Sequence, residues 1–358
     1  MTKKIILSAA VCVMFHAGLF AEPRCDVQEK RDSTRNLTEI TRKLYFHEGV
    51  LTLSHFTEDG KTPVQKKWGD YFLGLEFGRP PSSNGGWNLW DFFACYRMDK
   101  RAINIPREYM PESVTMVQSG GAAAADIVIP SGNGGRLEMR MIQFPSHKKW
   151  IFMRVTAKDF QPWRLDLSAY PGNSNTPKER ERYIATRENR YCTSRSAAEF
   201  VPASPYMILF NKFVQDRYGN MIVFNPGQFV KIVSPKSPGA VLIQFFPKKD
   251  ENVFFFALGY FADQAADDAV TRFLGEDGDA VKSFMEKIDW EPKLDTKGFE
   301  QTVKEAATLG VDPVRLKEFE KEFADIVKRK DVSAASNLMK KLDDLKKTMD
   351  RKGLDDFK

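Results

Sequence analysis

Short apolar runs recur between residues 41 and 262, separated by clusters of Gly, Pro, Asn and Ser. They fall at 50–56, 71–77, 113–119, 126–130, 136–144, 150–157, 164–170, 207–213, 221–224, 229–233, 241–246 and 253–261. The runs are rich in Phe, Val, Ile, Tyr and Met, and no helical period separates them. Many short strands with turn signals between them predict a mainly β fold, a large antiparallel β-sandwich, rather than a doubly wound parallel sheet. In one run Arg136, Glu138 and Arg140 alternate with Leu137, Met139 and Met141, so one face packs while the other carries charges of alternating sign. Residues 130–135 (PSGNGG) read as the hairpin connection before it. The run starting at Val253 is apolar on both faces, which predicts a central strand covered on both sides.

After residue 262 the period changes. Residues 263–274 and 279–288 read as short helices packed on the sandwich, with Gly275 and Gly278 as breaks. Trp290-Glu291-Pro292 marks a boundary, followed by a helical unit over 291–358. There Phe299, Val303, Ala306 and Ala307 mark one short helix ending near Gly310. Asp312 and Pro313 supply an N-cap acceptor and a first-turn proline for a second helix lined by Leu316, Phe319, Phe323, Ile326 and Val327. Ala335, Leu338, Leu342, Leu345 and Met349 line a last helix over 332–351, with Gly353 as its end. The last two predict an antiparallel hairpin with a coiled-coil-like seam, and 313–351 is a candidate surface for a protein partner or self-association. Residues 22–40 are polar and aperiodic, and read as a flexible lead-in.

The first 21 residues, MTKKIILSAAVCVMFHAGLFA, have a basic start, an apolar run and small residues before Ala21, the layout of a secretory signal peptide. The expected location is periplasmic or extracellular. No later apolar run reaches the ~18 residues of a membrane span. The net charge of +6, two units of it on Lys3 and Lys4, is too small and too spread to indicate nucleic acid. Beyond the signal, Cys25, Cys95 and Cys192 are too few for a disulfide scaffold and lack metal spacing. Cys95 and Cys192 are candidates for a bridge, or for two buried free thiols.

The strong catalytic motifs (HExxH, CxxC, GxSxG, a P-loop, an EF-hand) are missing, and neither a metal nor a cofactor is expected. Two segments carry candidate chemistry. Trp87 and Trp90, in GGWNLWDFF beside the loop 79–84, offer indole faces for sugar rings, or are core aromatics. Residues 178–195 mix arginines with tyrosines, and guanidinium forks match carboxylates. With Tyr191 as base and Arg187 or Arg190 neutralising a uronate, the strip would support β-elimination. Alternatively it is a solvated segment in which Glu179, Glu181 and Glu188 pair with the arginines.

The strands at 150–157, 164–170 (RLDLSAY) and 253–261, with helices closing at Ile288-Asp289-Trp290, resemble the galactose-mutarotase-like β-sandwiches of secreted bacterial carbohydrate-active systems, over roughly 41–290. The resemblance implies a supersandwich-like fold and a carbohydrate-associated role. Epimerases of that group use a glutamate base and a histidine acid. Neither aligns here: His147 lies in the turn-like Pro145-Ser146-His147-Lys148, and His47 and His55 precede the clearest strands. The expectation is a non-catalytic glycan-binding protein contacting its ligand through Trp87, Trp90, Arg187, Arg190 and Tyr191. One alternative is a lyase or epimerase on acidic glycans using Tyr191 or His147. Another is an envelope interaction protein with an exposed stripe along Leu338, Leu342 and Leu345.

Overall fold

The computed structural model describes residues 23–65, 69–77, 86–87, 91–119, 121–171, 181–200, 203–211, 218–237, 239–262, 265–291, 296–329 and 332–355. The expected export signal and Trp90 lie outside them. The first strands are β1 (Arg24–Asp32), β2 (Leu37–Tyr45), β3 (Gly49–Thr57), β4 (Tyr71–Phe77), β5 (Gly86–Trp87), β6 (Phe93–Met98) and β7 (Ala102–Asn104). A short helix α1 (Ile105–Glu108) precedes β8 (Ser113–Ser119), β9 (Ala122–Pro130), β10 (Arg136–Gln143), β11 (Trp150–Lys158) and β12 (Pro162–Tyr170). Next come β13 (Arg182–Ala185), β14 (Arg190–Cys192), β15 (Ala198–Phe200), β16 (Tyr206–Asn211), β17 (Tyr218–Phe224), β18 (Phe229–Ser234), β19 (Val241–Pro247) and β20 (Val253–Ala262). The helices α2 (Ala266–Arg272), α3 (Gly278–Glu286), α4 (Thr296–Thr308), α5 (Pro313–Arg329) and α6 (Val332–Asp355) complete the described chain.

The described strands form three antiparallel sheets, as the mainly β expectation requires. One is the meander β1-β2-β3-β4; one has nine strands in the order β14-β13-β16-β17-β20-β11-β10-β9-β8; the third runs β15-β18-β19-β12-β6-β7, with β5 against β12. The inner face of the nine-stranded sheet supplies Ile127, Met139, Met153 and Phe254 to one hydrophobic core, which Leu51 and Leu73 of the first sheet and Leu165 and Ile243 of the third complete. Its outer face is covered in part by α2 and α3, where Phe152, Ile208, Ala257 and Phe261 meet Val270, Phe273 and Met285. β20 is the middle strand of the nine and is apolar on both faces, with Phe254 and Phe256 in one core and Phe261 in the other. Each such side chain contributes about 1.5–3 kcal/mol by leaving water.

The segment 22–40 is not a loose lead-in: β1 and β2 form a hairpin whose nine residue pairs run from Arg24↔Tyr45 to Asp32↔Leu37. Most of β1 is exposed, including Val27. Backbone pairing rather than an apolar face holds the strand, so its composition carries no hydrophobic signal.

Gly275 and Gly278 do not break the helix after the sandwich, because a π-turn over Phe273–Asp277 joins α2 to α3. Gly278 serves a close approach instead. A Cβ there would stand 2.8 Å from the Phe273 carbonyl and 3.1 Å from the Tyr206 ring.

The C-terminal helices build their own apolar cluster from Phe299, Leu316, Phe323, Ile326, Leu338 and Leu342. The Phe299 and Phe323 rings stack with centroids 3.9 Å apart. α6 packs on α5, as the expected pairing of the last two helices requires, and on α4 as well, so the hairpin is part of a three-helix cluster. Leu338 and Leu342 are buried in it, so the stripe expected to be exposed there is already covered. Asp312 caps α5 by accepting the Val314 N–H at 2.9 Å. Gly353 lies within α6 rather than ending it. α6 also lies against β8, the edge strand of the nine-stranded sheet, where β1 approaches too.

Cys95 and Cys192 are unbridged. They stand in different sheets, on β6 and β14, and burial pushes the Cys95 thiol well up.

Candidate functional site

Past the helices, the outer face of the nine-stranded sheet is only partly covered. Antiparallel register lines up five outward residues across five strands: Thr115 on β8, Asp126 on β9, Arg140 on β10, Arg154 on β11 and Phe255 on β20. Arg140 grips Asp126 with both arms of its fork, Nε to Oδ1 at 2.5 Å and a terminal nitrogen to Oδ2 at 2.8 Å. Arg154 donates to Glu291 Oε1 at 2.7 Å, and the other Glu291 oxygen is 3.8 Å from Arg140. Arg140 also donates to the Trp290 carbonyl, while the Trp290 ring packs on Phe255 with centroids 5.3 Å apart. Two cations and two anions thus compensate one another. Glu291 stays the most open of the four, its side chain 75% exposed against 15% and 22% for Arg140 and Arg154. The hydrogen bond from Arg154 is the main cause that holds the Glu291 carboxyl below its ordinary range.

A cleft of about 430 Å³ opens beside this row. Its floor is Val117, Ala122, Ala124 and Ile142, and its walls include Phe144, Phe284 and Trp290. The alanine run on β9 explains the cavity: methyl groups leave empty the height that larger side chains would fill above the sheet. Phe144, Phe284 and Trp290 are each half-buried, so part of each ring faces the cleft. His147 sits at its margin, stacked on Phe284 with centroids 3.8 Å apart and with Nδ1 2.9 Å from the Ser146 hydroxyl oxygen. Burial lowers its pKa, which keeps the imidazole neutral near pH 7. Among the described residues, no group of three or more His, Cys, Asp or Glu is placed to hold a metal ion.

The residues singled out from the sequence do not converge on this cleft. Trp87 is fully buried in the main core, on β5 opposite Ala169, and presents no face to a ligand. Arg187 donates to the Leu274 carbonyl and to Asp279 at 2.8 Å, and its guanidinium lies over the Tyr206 ring. Arg190 pairs with Asp267 at 2.7 Å. These arginines tie α2 and α3 to the sheet, and their charges are met by helix aspartates rather than by the expected glutamates. Within the strip, Glu181 pairs with Arg195. Tyr191 stacks on Phe200 with centroids 5.0 Å apart, remote in the sheet order from β8–β10. Among the described candidates, His147 alone stands beside the cleft, stacked on Phe284 of its lining. The residues that sequence reading missed, Asp126, Arg154 and Glu291, had a partial signal in the charged alternation at Arg136–Arg140, which predicts an outward polar row without its partners.

A second polar feature lies inside the fold. His55 on β3 is fully buried, donates Nε2–H to the Pro106 carbonyl at 2.9 Å and leans on the Tyr71 ring. Burial lowers its pKa to about 4.

No protein-family model matches the sequence. The search of curated proteins gave no match. Among solved structures, the chain is similar to the Slr1438 protein from Synechocystis sp. PCC 6803, with 7% identity and a TM-score of 0.33, over 67% of this chain and 98% of that one. The GalM/aldose epimerase homologue from C. elegans matches with 8% identity and a TM-score of 0.31, over 67% and 99%. The heparan sulfate lyase HepC from Pedobacter heparinus matches with 9% identity and a TM-score of 0.26, over 64% of this chain and 34% of the lyase. Likenesses of this size assign neither ligand nor chemistry.

Proposed function

We infer that this chain is an exported, carbohydrate-associated protein that holds a saccharide in the cleft over β8–β10 without transforming it. One observation carries the reading: half-buried Phe144, Phe284 and Trp290 rings stand beside a compensated row of guanidinium and carboxylate groups on an open sheet face. Aromatic rings stack on the apolar side of sugars, while fixed charged groups orient hydroxyls. Export rests on the layout of residues 1–21. The test is a glycan array followed by titration of the retained saccharide. Trp290→Ala is expected to weaken binding about tenfold, whereas Arg187→Ala and Tyr191→Ala bind as wild type does. Retention of no saccharide by the wild-type chain sinks the reading.

A catalytic reading on acidic glycans is supported by His147, a neutral imidazole at the margin of the same cleft. Release of unsaturated uronate by the wild-type chain, lost in His147→Gln, would favour it over simple binding.

A further inference from the structure

The geometry points to Arg154, with Arg140 beside it, as a carboxylate-recognition subsite that the chain's own Glu291 now fills and that a uronate carboxylate of an acidic saccharide takes over. The inference rests on the saccharide reading above and names the ligand class.

Glu291 has the marks of an occupant rather than a structural tie. Its side chain is 75% exposed, and an ion pair of that exposure contributes little to folding. Its segment is docked without it: the Trp290 carbonyl accepts from Arg140, and the Trp290 ring rests on Phe255. The Glu291 carboxylate can therefore swing away while the wall of the cleft stays in place.

The cation it leaves is well suited to a replacement. Arg140 is already satisfied by Asp126 through both arms of its fork. Arg154 has Glu291 as its anionic partner at 2.7 Å, and at 22% exposure it is shielded enough for a replacement to matter. One incoming carboxylate restores the balance of two cations and two anions that the row now has. Geometry favours a planar carboxylate, because the present occupant is one and guanidinium forks match it. The aromatic walls lie alongside, so a ring bearing that carboxylate has a surface to stack on.

The test titrates the full mature chain with uronate oligosaccharides (galacturonate, mannuronate and glucuronate-containing), with neutral oligosaccharides of equal length and with sulfated ones. Glu291→Gln removes the competing charge and is expected to tighten uronate binding about five- to tenfold, leaving neutral sugars unchanged. Arg154→Lys, which keeps the charge but loses the fork, is expected to weaken uronate binding about tenfold. Unfolding curves of both variants that match wild type show that the changes are local. If neutral sugars bind and neither variant alters uronate binding, the saccharide reading stands and this inference falls. Binding of sulfated sugars in place of uronates also overturns it. If no sugar binds any form, both fall together.

Discussion

Arg140 and Arg154 face each other directly across β10 and β11. Like charges so placed repel. The sheet tolerates the pair because Asp126, from the next strand, holds Arg140 through both arms of its fork, while the exposed Glu291 answers Arg154 from the segment after α3.

Removing the shielded carboxylate, Asp126, exposes that repulsion. Asp126→Asn is expected to cost about 1–3 kcal/mol of stability. Adding Arg154→Gln should recover part of the loss, since it removes the facing charge. A denaturation double-mutant cycle reads the coupling, and strict additivity of the two changes would contradict the account.

Trp87 distinguishes a core residue from a surface platform. Trp87→Ala is expected to destabilise by about 3–5 kcal/mol, because the ring is fully buried in the main core. An exposed stacking residue would change stability by less than about 0.5 kcal/mol. Thermal or urea unfolding decides.

Gly278→Ala opposes two physical effects. Helix propensity alone favours alanine by about 1 kcal/mol. The new methyl group would instead meet the Phe273 carbonyl at 2.8 Å and the Tyr206 ring at 3.1 Å. The contact is expected to win, with a net loss of about 1–2 kcal/mol and faster amide exchange over α2 and α3. A stabilised variant would refute the close approach.

His55 sets an acid limit on stability. Its folded pKa of about 4 lies below the ordinary value of 6.5, so the folded state prefers the neutral ring. The unfolded chain takes up the proton first, and stability declines as pH falls from about 6.5 to about 4. The full loss is about 3 kcal/mol. His55→Gln keeps a donor for the Pro106 carbonyl and should flatten that window relative to wild type. Unfolding free energies of the two proteins, measured at half-unit pH steps, would show parallel curves if the assignment were wrong.

Much of the fold was legible because burial writes itself into spacing. The two-sided apolar run of β20 fixed its central place, and Arg136–Met141 showed which face of β10 turns outward. β1 was illegible because a strand held by backbone pairing needs no apolar residues. The site was harder still. Asp126, Arg140, Arg154, Phe255 and Glu291 are scattered along the chain, and only strand register and the turn after α3 bring them into one row. Trp87 and the 178–195 strip drew attention through composition, yet composition alone does not separate a ligand platform from a core ring or a helix tether.

The helical unit does something for the sheet that its own packing does not reveal. A sheet edge offers unpaired N–H and C=O groups to any passing strand, and a wide sheet of this kind is a template for chain-to-chain growth. With α6 and β1 both lying against β8, that border is guarded. The C-terminal helices thereby act with β1 as a terminator of sheet extension, so that a chain cut after residue 291 would leave the border beside the cleft guarded by β1 alone.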